Sequence, residues 1–197
     1  MAEASGRREP VVGNCGTLPL SKGIGLRPLN EADVAELHAL IDANRARLAA
    51  WLPWAAGQTP DDTAEFIRGT RRQLVENDGF QTAIVREGAI AGVVGYVGVD
   101  WRNRSTSLGY WLGESSQGKG TMTLAVRALV NHALSVWHLN RVEIRAADGN
   151  RRSRAIPERL GFSQDGILRS AELVNGRYSD VVVYSMLAAD WRAEQAP

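Results

Sequence analysis

One segment of the chain constrains its fold more than any other, because a strand-like run there breaks into a glycine-bearing loop that opens directly into an amphipathic helix. Tyr110, Trp111 and Leu112 are followed by Gly-Glu-Ser-Ser-Gln-Gly-Lys-Gly, and helical spacing begins at Thr121 and Met122. Glycines let the backbone approach an anion, and the free N–H groups of a helix's first turn point at it with the positive end of the macrodipole behind them. The segment therefore predicts a site for a phosphorylated cofactor.

The first candidate for this site is the P-loop of nucleotide-binding proteins. Residues 113–119 match its pattern, Gly-x-x-x-x-Gly-Lys, as far as the lysine. The next position fails, because a P-loop needs Ser or Thr there to hold Mg²⁺, whereas the chain has Gly120, with Thr121 one residue too late. Asp100 precedes the loop, although a metal-binding aspartate should follow it. The dinucleotide pattern GxGxxG is weaker still, since no third glycine follows Gly118 and Gly120. A nucleotide hydrolase is therefore only a competing hypothesis.

Composition limits the classes of protein to which the chain can belong. Its 197 residues, 44% apolar and 23% charged, fit one globular domain. A net charge of +1 gives no general attraction to nucleic acid or to an anionic membrane, so neither partner is expected and any anion site must be local. The single cysteine, Cys15, excludes an internal disulfide framework and favours a reducing compartment.

The N-terminal segment lacks the apolar core of a secretory signal, and no apolar run is long enough to span a bilayer. We therefore expect a cytoplasmic protein with a flexible tail at residues 1–22 and a single domain at residues 23–197. Cys15 lies in that tail with no histidine beside it, which favours a bystander thiol over a nucleophile. The histidines show no ligand spacing, so no metal site is expected.

The first half of the chain predicts a strand, two helices and then a meander. Residues 24–29 form a short strand that ends at Asn30, which can cap a helix. Thr59 followed by Pro60 is a strong helix start, and that helix should run to about Asn77. Three antiparallel strands are then expected at residues 80–85, 90–99 and 105–112.

The second half alternates helices and strands. A helix beginning at Met122 keeps apolar residues at helical spacing. A strand at residues 141–146 leads into a second helix at residues 150–160, and an Asn-Gly pair at 175–176 marks the turn of a closing hairpin at residues 167–187. The predicted order is β, α, α, β, β, β, α, β, α, β, β. This is an α/β (α+β) class with a mixed, mostly antiparallel twisted sheet of about seven strands flanked by about four helices.

This order of elements, with the loop at residues 117–122 after the fourth strand, resembles the GNAT superfamily of acetyl-CoA-dependent N-acetyltransferases. The pyrophosphate loop of that family has the pattern Q/R-x-x-G-x-G/A, which the chain matches at Gln117 and Gly120 and leaves at Met122, where a small residue is usual. Within the superfamily the chain resembles the RimJ/RimL group of ribosomal-protein N-terminal acetyltransferases from Leu26 to its C-terminus. The supporting segments are Leu26-Arg27-Pro28-Leu29, Trp51-Leu52-Pro53-Trp54, Gly109-Tyr110-Trp111-Leu112, Gln117 through Thr123, Asn150 with Ser153, and Arg159-Leu160-Gly161-Phe162.

The resemblance implies acetyl-CoA as the co-substrate and assigns roles to several residues. Glu172 is implied as the base, and the Ser153 hydroxyl as the group that meets the leaving sulfur. Backbone N–H groups near Trp111 and Leu112 would face the thioester carbonyl if a bulge in that strand frees them. The implied cofactor-binding residues are Trp111, Leu112, Gln117, Gly118, Lys119, Gly120, Thr121, Met122, Asn150, Ser153 and Arg154.

Acetyl transfer to an α-amine needs only a few catalytic groups, and the carboxylate of Glu172 and the hydroxyl of Ser153 would be enough. The attack needs a deprotonated amine. An α-amine has an ordinary pKa of about 7.7–8.0, whereas the amine of a lysine side chain has one of about 10.4. A carboxylate such as Glu172 acting through water therefore suffices for a protein N-terminus. Structural interpretations stay open, because Glu172 can equally be an exposed strand residue and Ser153 a helix cap. Arg151, Arg152 and Arg154 fit either the 3′-phosphate of the cofactor or a solvated helix start.

The acceptor groove is expected to involve Trp51, Trp54 and Asn140, although core packing explains the tryptophans as well. The leading hypothesis is transfer of an acetyl group from acetyl-CoA to the N-terminal α-amine of a ribosomal or other protein, by direct attack in a ternary complex. The alternatives are a small-molecule amine (polyamine, aminoglycoside or aminoacyl nucleotide) and a non-catalytic CoA-binding module. The resemblance also implies a homodimer, and Pro157 predicts a kink in the second cofactor-side helix.

Overall fold

The computed structural model describes residues 18–194 and places there eight strands and six α-helices around one sheet. The strands are β1 Leu18–Ser21, β2 Ile24–Pro28, β3 Gln81–Arg86, β4 Ala89–Asp100, β5 Ser105–Leu112, β6 Arg141–Ala147, β7 Ser163–Val174 and β8 Arg177–Leu187. The helices are α1 Val34–Ala43, α2 Arg45–Ala49, α3 Pro60–Val75, α4 Thr121–Asn131, α5 Arg151–Arg159 and α6 Ala188–Glu194. Short 3-10 turns lie at Glu31–Asp33, Pro53–Ala56 and Glu114–Ser116, and α4 continues into a π-helical turn at His132–Val136.

The sheet is open, with the strand order β1-β2-β3-β4-β5-β6-β8-β7. All neighbouring strands run antiparallel except β5 and β6, which are parallel because α4 crosses over between them. This arrangement confirms the predicted fold class. The chain adds three elements that the sequence pattern did not predict, namely β1, α2 and α6.

β5 and β6 stop pairing before either strand ends. Their register runs from Ser105 opposite Arg141 to Leu108 opposite Ile144. β5 then stays paired with β4 as far as Leu112, while β6 stays paired with β8 beyond Ile144. The last residues of β5 therefore present one edge to a wedge-shaped opening in the middle of the sheet.

The predicted boundary of the N-terminal tail is wrong by one strand. Residues 18–21 fall within the tail predicted at residues 1–22, but they form β1 and pair with β2. Gly23 makes the connecting turn possible, because its φ of 72° is a conformation that few other residues adopt. Residues 1–17, with Cys15, lie outside the described residues.

Two apolar clusters, one on each face of the sheet, form the core. Val94 of β4 belongs to the cluster under α4, whereas its neighbour Val93 belongs to the cluster under α1 and α3. Successive strand residues point to opposite faces, so the middle strands read as continuous apolar runs. The first cluster extends to Trp137, which is only 1% exposed and lies at the end of the predicted apolar helix face.

The helix starts before α1 and α3 confirm the sequence signals for caps. Asn30 accepts a hydrogen bond from the N–H of Ala32 and opens a capping box with Asp33, and Thr59 forms the same arrangement with Asp62. Each box satisfies backbone donors that a helix leaves free at its first turn. Asp33 additionally forms a two-pronged ion pair with Arg27 of β2, with both N–O distances at 2.7 Å.

Replacing Asp33 with asparagine is expected to lower the free energy of unfolding at neutral pH by about 1–3 kcal/mol, because Arg27 then loses its charged partner. Burial pushes the pKa of Asp33 up, but hydrogen bonds from Arg27 and the Asn30 N–H outweigh it and hold the pKa below its ordinary value. The stability from ionised Asp33 is therefore present above the unfolded-state pKa of about 3.9 and is lost as pH falls through the lower folded-state pKa.

Urea unfolding of the wild type and Asp33→Asn at neutral pH and near about pH 3 tests this dependence. Asp61→Asn is the control, since Asp61 is an exposed acid in the first turn of α3. The difference for Asp33→Asn should shrink at the lower pH. An equal difference at both pH values would show that the charge of Asp33 is not the cause.

Candidate active site

A large cleft of about 1520 Å³ follows the wedge between β5 and β6 and continues over the start of α4. Its walls come from the ends of β5 and β6, the loop before α4, α5, β7 and the segment around α2. Sites for drug-sized ligands usually measure about 300–1,000 Å³, so this cleft has room for a long ligand and for part of a second one. Of the predicted site residues, it brings together Trp51, Trp111, Leu112, Gln117, Gly118, Gly120, Thr121, Met122, Asn150, Ser153 and Glu172.

The free edge of β5 arises differently from the sequence-based expectation. A bulge near Trp111 and Leu112 was the condition under which their N–H groups would be free, but the register irregularity between β4 and β5 lies at Val97 in β4. What opens the β5 edge is the early separation of β6 from β5 after Leu108. The Leu112 carbonyl is already engaged, because it accepts a 2.7 Å hydrogen bond from Nη2 of Arg47.

The loop before α4 has the geometry of an anion cradle. Gly118 and Gly120 have φ values of 70° and 74°, and a Cβ added at either would meet nothing within 4 Å, so the space in front of the loop is open. Gly120 is the N-cap of α4, and the N–H groups of the first turn of α4 are therefore available to an anion. Thr121 adds a buried hydroxyl with no hydrogen-bond partner among the described residues. Met122 is 6% exposed and belongs to the core cluster, while also contributing to the cleft lining.

The first turn of α5 forms the wall opposite this loop. Asn150 is the N-cap, and its Oδ1 accepts a hydrogen bond of 3.1 Å from the Ser153 N–H. The cap role and the cleft position of Ser153 coexist, because the cap uses its backbone and leaves its hydroxyl to the cleft. The Ser153 carbonyl accepts a hydrogen bond of 3.0 Å from the Tyr110 hydroxyl of β5.

Glu172 reaches the cleft from β7 and is half-buried. The register of β7 against β8 shifts between Leu168 and Glu172, and Ser170 within that shift has a φ of 49°. The Ser170 N–H donates to Oδ1 of Asp180 over 2.8 Å, which holds this irregular segment on β8. Such irregularities redirect side chains, and this one places a carboxylate on the cleft wall.

The two tryptophans of the predicted acceptor groove have different surroundings. Trp51 lines the cleft, and its ring lies so close to Gly149 that a Cβ there would be 3.3 Å from it. Trp54 is 42% exposed and does not line the cleft, although its ring centroid is 6.3 Å from that of Trp111. Trp54 therefore supports Trp111 from outside.

Besides Trp54, three predicted site residues do not reach the cleft, namely Lys119, Arg154 and Asn140. The Nζ of Lys119 donates to the Ser115 carbonyl over 2.7 Å, so the lysine folds back on its own loop. Arg154 bonds Tyr184 and Asp148, because it lies about 200° around α5 from the cleft-facing Arg152.

Asn140 is an exposed residue just before β6, at the opposite end of that strand from the cleft. The cleft-lining Ala146 lies about 20 Å further along the strand. Asn140 therefore lies outside this cleft, and its role in substrate binding stays a prediction.

The cleft lining also includes Arg47 and Arg159, which the sequence did not single out as site residues, and Arg152, which it left between the 3′-phosphate and a solvated helix start. Arg152 donates to Oε1 of Gln117 over 2.8 Å, and Arg159 lies on the same face of α5, two turns later. The seven-residue spacing of Arg152 and Arg159 was visible in the sequence and indicates that both lie on one face of the helix. Burial lowers the pKa of Arg47, with Glu114 opposing the shift and Arg152 adding to it, and its Nε is buried without a hydrogen-bond partner in the described structure. Nothing in the sequence pointed to Arg47 as a cleft residue, because the helix that carries it, α2, was not predicted.

The described residues contain no cluster of three or more potential metal ligands from His, Cys, Asp and Glu. None of the helices in residues 18–194 is long and apolar enough to cross a membrane. What the cleft offers is a backbone cradle, arginine side chains, one hydroxyl on α5 and one carboxylate on β7. This set can bind an anionic ligand and move a proton without a metal ion.

Comparison with known proteins gives the family of this arrangement. Residues 24–163 match the family model described as the acetyltransferase (GNAT) domain. The chain is 36% identical to the putative ribosomal N-acetyltransferase YdaF of Bacillus subtilis over 91% of its own length and 99% of that protein. It is 30% identical to the ribosomal-protein-serine acetyltransferase of Escherichia coli over 87% of its own length and 96% of that protein.

A solved structure agrees with these relatives. RimL, a ribosomal α-N-protein acetyltransferase solved in complex with coenzyme A, is 29% identical and superposes with a TM-score of 0.84 over 89% of this chain and 99% of that chain. A match of this extent replaces the nucleotide-hydrolase hypothesis, which rested only on the near P-loop spelling of residues 113–119. The chain belongs to the acetyltransferase (GNAT) family, among relatives named as RimL-like ribosomal-protein N-acetyltransferases.

Proposed function

We propose that this protein transfers the acetyl group of acetyl-CoA to the α-amine of a protein N-terminus, by direct attack while both substrates occupy the cleft. Family membership gives the reaction class, and the relatives named for ribosomal proteins favour a protein acceptor. The observation that carries the proposal is that one cleft joins the glycine cradle, Ser153 and Glu172. A cytoplasmic location and a homodimer stay predictions.

The cofactor end of the cleft fits an extended phosphorylated molecule. Acetyl-CoA would supply an acetyl group activated as a thioester. Gly118, Gly120 and the first N–H groups of α4 would hold its pyrophosphate, since the loop is open and the positive end of the helix faces it. Arg152 and Arg159 would supply further positive charge from α5. These roles follow from backbone geometry and charge and need no metal ion.

The reacting end lies where the free edge of β5 faces α5. Backbone N–H groups around Trp111 and Leu112 would polarise the thioester carbonyl, as donors fixed on a strand cost little reorganisation. The Ser153 hydroxyl would donate to the leaving sulfur, whose ordinary pKa of about 8.5 makes it a good leaving group. Ser153 is therefore expected to contribute modestly to the rate.

The acceptor end lies between Trp51 and β7. Glu172 would accept the proton of the attacking amine through a water molecule, which suffices because an α-amine has an ordinary pKa of only about 7.7–8.0. Trp51 would form an apolar wall for the first residue of the acceptor. Arg47 stands beside this end, and its positive charge disfavours a protonated amine there.

A screen of acceptors tests the proposal. Peptides with free N-termini, the same peptides blocked at the N-terminus, polyamines and aminoglycosides are each incubated with acetyl-CoA, and release of CoA is measured. Free peptides should release CoA, whereas blocked peptides should give only background hydrolysis. Release with polyamines or aminoglycosides alone would point to the small-molecule alternative. Tight CoA binding without release on any acceptor would point to the non-catalytic one.

A further inference from the structure

Tyr110 and Pro157 act on the same backbone carbonyl group, that of Ser153. In a regular α-helix the N–H of residue 157 would donate to the carbonyl of residue 153, but a proline has no N–H. Pro157 lies inside α5 and is buried, so the helix itself offers the Ser153 carbonyl no donor at position 157. The Tyr110 hydroxyl donates to the Ser153 carbonyl over 3.0 Å and replaces it.

This hydrogen bond crosses the wedge in the sheet. Tyr110 lies in the part of β5 beyond Leu108, where β5 no longer pairs with β6. Ser153 lies in the first turn of α5, which follows β6. The bond therefore joins the two sides of the opening at a place where the sheet supplies no hydrogen bonds between them.

Both polar backbone groups of Ser153, the N–H and the carbonyl, form hydrogen bonds. Its N–H donates to Oδ1 of Asn150, and its carbonyl accepts from Tyr110. Burial raises the pKa of Tyr110 above its ordinary value, so the hydroxyl stays a protonated donor at neutral pH. The Ser153 side chain is left to the cleft.

We propose that Tyr110 is a positioning residue that holds the first turn of α5, and with it Ser153, by supplying the donor that Pro157 lacks. The catalytic consequence rests on the proposed function, in which the Ser153 hydroxyl meets the leaving sulfur. Small displacements of a positioned group cost large factors in rate, so loss of this bond is expected to lower kcat about tenfold.

Four variants test this role: Tyr110→Phe, Ser153→Ala, the two combined, and Tyr110→Phe with Pro157→Ala. Tyr110→Phe keeps the ring and removes only the hydroxyl. It should lower kcat and leave KM for the acceptor unchanged, and it should have no further effect when Ser153→Ala is already present. Pro157→Ala should restore part of kcat to Tyr110→Phe, because alanine returns an N–H to position 157. Tyr178→Phe is the matched control, since Tyr178 is 70% exposed outside the cleft.

Amide hydrogen exchange of residues 151–156 in the same full-length variants gives a readout independent of turnover. Exchange should be faster in Tyr110→Phe and slower again when Pro157→Ala is added. Unchanged exchange in Tyr110→Phe overturns the proposal, as does an equal loss of kcat with and without Ser153→Ala. If Ser153→Ala alone leaves turnover intact while exchange behaves as expected, the role of Ser153 in the proposed function is wrong and the structural role of Tyr110 stands.

Discussion

Replacement of Glu172 by glutamine is expected to lower kcat/KM about 100-fold at neutral pH, the lower end of the contribution usual for a positioned acid or base. Glutamine keeps the shape of the side chain and removes its ability to accept a proton. Because Glu172 lies on β7 and the glycine loop precedes α4, the affinity for CoA should not change. The loss should shrink as pH rises past the α-amine pKa of about 8, where more of the acceptor arrives deprotonated.

The measurement is the pH profile of kcat/KM for the wild type and for Glu172→Gln with a peptide acceptor, together with CoA affinity by calorimetry. Glu76→Gln is the control, because Glu76 is exposed at the end of α3, outside the cleft. Glu114 is the other glutamate on the cleft wall and the competing base. A large loss in Glu114→Gln with none in Glu172→Gln would transfer the role of base to Glu114.

Replacement of Gly120 by alanine is expected to weaken CoA binding at least about tenfold, which corresponds to about 1.4 kcal/mol. Gly120 has a φ of 74°, so an L-residue there strains the backbone by about 1–2 kcal/mol. Its added Cβ would stand in the open space before α4, where the pyrophosphate is proposed to lie. The variant therefore loses both loop geometry and room for the ligand.

Gly88→Ala is a closely matched control for this variant. Gly88 has a φ of 84°, and a Cβ there also meets nothing within 4 Å, but it lies in the turn between β3 and β4 and does not line the cleft. Both variants should lose similar stability in urea, while only Gly120→Ala should lose affinity for CoA in calorimetry. Equal CoA affinities in the two variants would show that the loop before α4 does not bind the pyrophosphate.

The glycine loop before α4 could be predicted because its signal is local. Gly118, Gly120 and the helix start at Thr121 lie within a few residues, and left-handed glycines before an amphipathic helix leave few alternatives. The same holds for the caps at Asn30 and Thr59, whose partners are three residues away. Local chemistry therefore specified most helix starts and the order of the elements.

The parts that sequence reasoning missed depend on contacts between distant segments. Arg47 reaches the Leu112 carbonyl from α2, and the wedge depends on where β6 leaves β5, which no local pattern records. Helix phase was the usable signal that went unused, since Arg152 faces the cleft and Arg154 faces away. The position of Asn140 outside the cleft could not be predicted, because a place next to a strand does not say at which end of the strand the cleft lies.

Tyr110 explains why α5 can contain a proline, which local rules disfavour inside a helix. Pro157 predicted a kink in α5, yet the structure keeps it inside the helix and fills the vacated acceptor at Ser153 from β5. A proline in a helix is tolerated where another donor serves the freed carbonyl. That donor is 43 residues away, so its identity was not visible in the sequence.

The central claim is that the acetyl group goes to an α-amine, and the most direct test is to locate it on the product. A peptide with a free N-terminus and one internal lysine is incubated with the protein and acetyl-CoA, and tandem mass spectrometry identifies the modified nitrogen. We predict one acetyl group on the N-terminal residue and none on the lysine, at a rate that falls in Glu172→Gln. Acetylation of the lysine side chain, or of the peptide only when its N-terminus is blocked, would contradict the account.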